Sequence, residues 1–324
     1  MRHSAWLTTS ALALVALIGC QRTEPQPGGG PHIALIYKAT TNPFFQAMEK
    51  GAREKAGSLG VQLDVAGIET ESDADKQADL VRIMLSRKVK AIVIAPASST
   101  AIVTPLLQAQ AAGVPVINID NRISKDEAAQ QGLRVATFIG PDNFEGARQV
   151  GAYACALLKK KLAAGQKGRV ILLRGIDGVE NAEARRRGFE AAVREAGLQI
   201  AGSQSAEWDT EKANQAAAAL LAANPDAAGI LCANDKMALG AIAAVKARGR
   251  VGEIVIVGYD NIDLAREAMK RGEMEATIEQ NPALMGALGV EAACKALKGE
   301  PLPEVAPVPV QLVTRDDVLK GEGK

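Results

Sequence analysis

IALIY at residues 33–37 opens the pattern that decides the fold. The run is short, apolar and β-branched, and a helical pattern follows it over residues 44–58. Residues 61–65 precede a second helical stretch at 73–87. AIVI at 91–94 precedes a third at 100–112, and VPVINI at 114–119 closes the series. Residues 135–139 read as a crossing segment, after which the alternation restarts. Helical patterns at 144–162, 182–196, 211–223, 237–247, 264–271 and 284–297 interleave with apolar runs at 170–173, 199–203, 228–232, 254–257 and 275–278. A last strand is expected within 308–313. Continuous apolar strands alternating with helices predict parallel sheets covered on both faces. The interruption near residue 140 predicts two such α/β, doubly wound units, with the chain crossing between them at 137–142.

In open parallel sheets, ligands bind beyond the carboxyl ends of the strands. The residues there are polar and specific. The first strand runs into Lys38 and then Asn42-Pro43-Phe44-Phe45. The 114–119 strand ends in Asp120-Asn121-Arg122, and the 228–232 strand leads to Asn234-Asp235. The remaining two end in Gly258-Tyr259-Asp260 and Gln280-Asn281. Any one of these can be a turn or helix-capping residue. Amides and carboxylates at five strand ends together point to one cleft that binds hydroxyls.

The aromatics support that reading. They form 3% of the chain, and Phe44, Phe45, Trp208 and Tyr259 fall at or beside the proposed strand or loop ends. Flat rings can face the apolar side of a ligand whose rim carries hydroxyls, although large rings also fill cores. Tyr259 reads as structural. Arg185-Arg186-Arg187 begins a helix, where cations oppose the helix dipole. A solvated face accounts for two of the three, and one can reach the cleft as a fork of donors.

Composition excludes several classes. Lys+Arg 38 against Asp+Glu 37 gives a net charge of +1, without the basic excess that nucleic-acid binding needs. The two histidines are His3 and His32, so the fold beyond residue 32 cannot assemble a Ser-His-Asp, Cys-His or multi-histidine metal site. No nucleophile elbow, Walker loop or dinucleotide fingerprint is present. An enzyme is therefore not expected, nor a cofactor or metal. Cys155, Cys232 and Cys294 have apolar neighbours, which suits buried thiols better than a disulfide framework.

The chain starts with a basic Met1-Arg2-His3, a short apolar core and Leu17-Ile18-Gly19-Cys20. That is too short for a membrane span and has the layout of a secretory signal. Its end resembles a bacterial lipobox, which implies cleavage before Cys20 and a lipid on that cysteine. QRTEPQPGGGP at 21–31 reads as a flexible linker. The expected organisation is a signal at 1–19 and a lipidated cysteine with linker at 20–31. The location is then the periplasm or cell surface, tethered to a membrane.

Nine segments in order carry a family resemblance over 32–314. They are TTNPFFQAM (40–48), IAPASS (94–99), PVINIDNR (115–122), GPDNFEGA (140–147), EARRRGF (183–189), AEWDTEKA (206–213), CANDKMALGA (232–241), VGYDN (257–261) and ATIEQNP (276–282). With these the chain resembles the bacterial sugar-binding proteins of the ribose and allose type, the ligand-capture components of ABC importers. The resemblance implies two doubly wound lobes joined by a three-crossing hinge and closing on a monosaccharide (the type I periplasmic binding protein fold). The lobes are expected at 32–139 plus 281–309 and at 140–280 plus 310–324.

By motif, the resemblance places sugar contacts on Lys38, Asn42, Phe44, Phe45, Asp120 and Asn121 of the first lobe. Arg185, Trp208, Asn234 and Asp260 follow from the second, with Gln280 at a crossing. Phe44, Phe45 and Trp208 would face the sugar ring. Asp120 and Asp260 would accept from hydroxyls, and Arg185, Asn234 and Gln280 would donate. Ribose-type members carry Asp-Arg where this chain has Asp120-Asn121, with Arg122 one place later. Ribose is therefore a doubtful ligand, and a hexose, modified sugar or polyol fits as well. The expected partners are the sugar, the permease and a membrane through Cys20, for a monomer that binds no nucleic acid. A sensor of the same fold reporting to a membrane receptor is the alternative.

Overall fold

The computed structural model describes residues 1, 29–162 and 168–321. The signal, Cys20 and nearly all of the linker lie outside these residues. The first sheet is built from β1 (His32–Tyr37), then α1 (Pro43–Leu59), β2 (Gln62–Gly67), α2 (Ala74–Ser86), β3 (Ala91–Ile94), α3 (Val103–Ala111), β4 (Val116–Ile119), α4 (Lys125–Gln131) and β5 (Thr137–Gly140). The chain continues through α5 (Asn143–Lys161), β6 (Arg169–Arg174), α6 (Glu180–Glu195), β7 (Gln199–Ser205), α7 (Thr210–Ala223), β8 (Gly229–Cys232), α8 (Asp235–Ala247), β9 (Val255–Val257), α9 (Asp263–Lys270) and β10 (Ala276–Glu279). It ends with α10 (Pro282–Leu297), β11 (Val305–Pro307), β12 (Gln311–Thr314) and α11 (Arg315–Lys320).

Two six-stranded sheets result. One has the order β2-β1-β3-β4-β5-β11 and the other β7-β6-β8-β9-β10-β12. All pairs are parallel except β10 with β12. In each sheet the order reverses beside its first strand, which is the switch point where a doubly wound sheet leaves a crevice. The central strands are buried on both faces: Ile33 to Ile36 and Ala91 to Ile94 are all 0% exposed. This is why they read as unbroken apolar runs rather than alternating ones.

The chain passes between the sheets three times, at 141–142, 280–281 and 308–310. Two hydrogen bonds tie these strands together: Val308 N–H donates to the Gly140 carbonyl (3.0 Å), and the Asn281 amide donates to the Pro309 carbonyl (2.9 Å). Three details differ from expectation. Thr137–Gly140 is not a crossing segment but a full strand between β4 and β11, and the chain crosses just after it. The single last strand is two, one in each sheet, because Pro309 lies between them with no N–H to continue a ladder. α4 was not foreseen; its seven residues bury only Ala128, so it carries almost no apolar periodicity.

No helix among the described residues is long and apolar enough to cross a membrane. Cys155 and Cys232 are buried free thiols and Cys294 is a half-buried one.

Candidate functional site

Strand ends of both sheets meet at a small cavity that encloses about 230 Å³ of space not filled by protein atoms. Lys38, Asn42, Phe44, Phe45 and Asp120 line it from the first sheet. Arg185, Trp208, Asn234, Asp260 and Gln280 line it from the second and its hinge. The sequence named all ten. The lining is closed off from solvent: Lys38, Asn42 and Gln280 are 1% exposed and Asp260 is 7%.

Local sequence positions each group. Asn42 caps α1: its Oδ1 accepts from the Phe44 N–H (3.1 Å), Pro43 supplies the first turn, and Gly60 ends the helix at φ +67°. Asn234 caps α8 in the same way, accepting from the Met237 N–H (2.9 Å). Both asparagines are therefore helix caps and cavity residues at once. The oxygen serves the helix, and the amide NH₂ remains as donor. Asp120, Trp208 and Asp260 sit at φ of +61°, +63° and +118°, in the left-handed region that side chains disfavour. Such backbone costs on the order of 1–3 kcal/mol each and tends to cluster at ligand sites.

The charges are internally matched. Lys38 Nζ lies 3.3 Å from Glu71 and 3.6 Å from Asp120. It also stands 5.8 Å from the Phe45 ring centre and 5.9 Å from that of Trp208, so it bridges two aromatic walls. Arg185 Nη1 lies 3.5 Å from Asp260, whose Oδ1 accepts from the Gln280 amide (2.6 Å). Burial pushes the Asp260 carboxyl well above the usual carboxylate range, against the pull of Arg185. Among the described lining residues, both cations have a carboxyl group within 4 Å. What the cavity offers is aromatic surface and hydrogen-bonding groups. Asp120 Oδ2, Asn181 Oδ1 and Trp208 Nε1 are buried without a hydrogen-bond partner, two acceptors and one donor.

Asn121 is a correction. It does not line the cavity, because its side chain is engaged with its own surroundings: its amide donates to the Pro96 carbonyl (3.1 Å) and to Ser99 Oγ (3.3 Å). Arg122, one place later, turns away and stacks 3.8 Å over the Phe138 ring. Of the three arginines, Arg185 enters the cavity, while Arg186 pairs with Glu183 and Glu190 on the surface.

Two lining residues, Glu71 and Asn181, went unread in the sequence. Glu71 follows β2, whose end was not among the five strand ends read for a cleft. Asn181 lies one helical turn before Arg185, and i, i+4 spacing puts both on one face. Among the described residues, no cluster of histidine, cysteine or carboxylates could hold a metal ion.

The two-lobed sheets and the cavity between them define a ligand-capturing binding protein of the periplasmic type. The chain belongs to the periplasmic binding protein domain family, whose model matches residues 33–301. It is similar to the D-ribose/D-allose-binding protein of Pseudomonas aeruginosa, 39% identical over 317 residues covering 94% of this chain and 97% of that protein. It is also similar to the D-allose-binding periplasmic protein of Escherichia coli, 36% identical over 82% of this chain and 84% of the relative. Among solved structures, an ABC transporter periplasmic solute-binding protein of Actinobacillus succinogenes with bound D-allose superposes with a TM-score of 0.83. It is 36% identical, over 90% of this chain and 99% of that one.

Proposed function

We propose that this protein captures a monosaccharide of the allose or ribose type, or a related polyol, between its lobes. It then delivers that ligand to the permease of an ABC importer. The observation that carries this reading is the cavity itself. Aromatic rings and matched hydroxyl-binding groups from both sheets enclose a space suited to a small, uncharged, hydroxyl-rich molecule. The capture of ribose and allose by similar proteins supports it. In this reading the lobes are 32–139 plus 281–309 and 140–280 plus 310–324.

Phe44, Phe45 and Trp208 face the sugar ring. Asp120, Asp260 and Asn181 accept from hydroxyls, and Lys38, Asn42, Asn234, Arg185 and Gln280 donate. A ligand touching both lobes favours the closed form by its differential affinity for it. The protein leaves the sugar chemically unchanged. It acts as a monomer outside the cytoplasm, held to a membrane by lipid on Cys20. A shift from the membrane to the soluble fraction on Cys20→Ser tests that anchor.

The capture reading is tested by titrating the purified protein with allose, ribose, glucose, galactose, xylose, fructose and inositol. Isothermal calorimetry and tryptophan emission are followed together, with Trp208→Phe as the optical blank. Saturable binding of one sugar, with a raised melting temperature, is expected. A folded protein that binds none of them would overturn the reading.

A further inference from the structure

α6 carries Asn181 and Arg185 into the cavity, yet its own lobe does not cap it. The capping position is Val179, which has no side-chain oxygen to accept from the first turn. The acceptors come from the other sheet. The Glu180 N–H donates to Ser99 Oγ (3.0 Å), and the Asn181 N–H donates to Asn121 Oδ1 (3.2 Å). Ser99 follows β3 and Asn121 follows β4. Both are buried, at 4% and 0% exposure.

The two acceptors are held in place before they meet the helix. The Asn121 amide bonds Ser99 Oγ and the Pro96 carbonyl, and the Asn118 amide donates to the Asn121 carbonyl (2.8 Å). This explains why Asn121 is buried at the edge of the cavity without lining it. Its oxygen is taken by the facing lobe.

We propose that Ser99 and Asn121 are closure-determining residues. They supply, from the first lobe, the cap that α6 lacks in the second, and so set ligand affinity without touching ligand. The proposal rests on the reading that the lobes close on a sugar. When the lobes part, both N–H groups and both acceptors return to water. The bonds exist only in the closed form and act on the population that holds ligand. They also fix the first turn of α6, and with it the heights of Asn181 and Arg185 over the cavity. Their roles are positional: Asn181 and Arg185 read the ligand, and Ser99 and Asn121 hold the helix that presents them.

The test compares the full-length wild type with Ser99→Ala and Asn121→Ala. Each variant should weaken sugar binding about two- to tenfold, the worth of one net hydrogen bond. The loss should lie mainly in faster release, with association little changed. Hydrogen exchange of peptides spanning 178–184, with and without the sugar panel, is the second readout. Amides 180 and 181 should exchange more slowly in the wild type than in either variant. Equal exchange at these amides in all three proteins would overturn the proposal, as would wild-type release rates in both variants. Failure of the wild type to bind any sugar would instead defeat the capture reading, while exchange at 180 and 181 still decides the cap. Ser99→Ala guards against misfolding, since it removes one hydroxyl and leaves the Asn121 bond to Pro96 intact.

Discussion

The guanidinium carbon of Arg185 lies 3.7 Å from the centre of the Tyr259 ring. That stack fixes the plane of the fork, and three of its five N–H groups find protein acceptors. Nε donates to Asn143 Oδ1 (2.8 Å), Nη1 to the Ala233 carbonyl (2.8 Å) and Nη2 to Gln280 Oε1 (3.0 Å). Tyr259 is thus the floor under the arginine rather than a ligand contact. Burial pushes its phenol upward in pKa, with the Arg185 charge opposing.

Arg185→Lys should be far from conservative. A lysine keeps the charge beside Asp260 but cannot lie flat on Tyr259 or reach three acceptors at fixed angles. Asn143 and Gln280 would then lose buried partners. We expect sugar affinity to fall tenfold or more and the fold to lose roughly 1–3 kcal/mol. Calorimetric titration and urea denaturation of the same preparation measure both. Wild-type affinity in the variant would show that the fork plays no part in binding.

Gly175→Ala tests the position of the indole. A Cβ built on Gly175 would lie 2.1 Å from Trp208 Cζ2 and 2.3 Å from Cη2. The ring must move, and Trp208 is itself held at a left-handed φ. Sugar affinity should drop by about tenfold, on the scale of a displaced aromatic contact, and the emission spectrum of the ligand-free protein should shift. An unchanged spectrum with unchanged affinity would mean the indole does not face the ligand.

The parts of this molecule legible in its sequence are those where one physical cause dominates. Strands buried on both faces announce themselves as VINI or AIVI, so the two sheets could be read directly. Polar residues at strand ends were legible because the sheet geometry says where a cleft must lie. Thr137–Gly140 was misread because its polar first residue and closing glycine resemble a connector, whereas it pairs with β4 on one side and with β11, far along the chain, on the other. Asn121 was misassigned because adjacency to Asp120 says nothing about direction. The backbone turns to φ +61° at Asp120, and the next side chain points at α6 instead of the cavity. Asn181 was missed because its role arises from helical phase with Arg185.

Lys38 offers a cleaner electrostatic test. It is 1% exposed and stands between Glu71 and Asp120. Lys38→Met leaves two carboxylates buried without their cation, which should destabilise the fold by about 3–5 kcal/mol. Adding Glu71→Gln removes one of the stranded charges and still leaves its oxygen to accept from the Asn42 amide, which now donates to Glu71 (3.3 Å). The double variant should therefore recover part of the loss. Urea denaturation of the two singles and the double gives the coupling. Strict additivity would mean that Lys38 and Glu71 do not act as a pair.

Asp235 should give the fold a measurable pH dependence. Its carboxylate is wholly buried at the start of α8, accepting from the Thr277 hydroxyl (2.8 Å) and the Ile262 N–H (3.0 Å). Burial pushes its pKa from the ordinary 3.8 up to about 7, although these hydrogen bonds favour the ionised form. The folded protein therefore holds a proton here that the unfolded chain has released. The associated stability is present below about pH 4 and is lost as pH rises through about 7. Asp260, raised in the same direction, adds to the trend, so the wild type alone cannot apportion it. Asp235→Asn isolates the group. Its oxygen can accept from Ile262 while its NH₂ donates to the Thr277 oxygen, and it does not titrate. On going from pH 5 to pH 8 the wild type should lose stability relative to this variant, in urea denaturation at fixed ionic strength. A difference that stays constant across the interval would mean that the folded-state pKa of Asp235 is not raised above about 5.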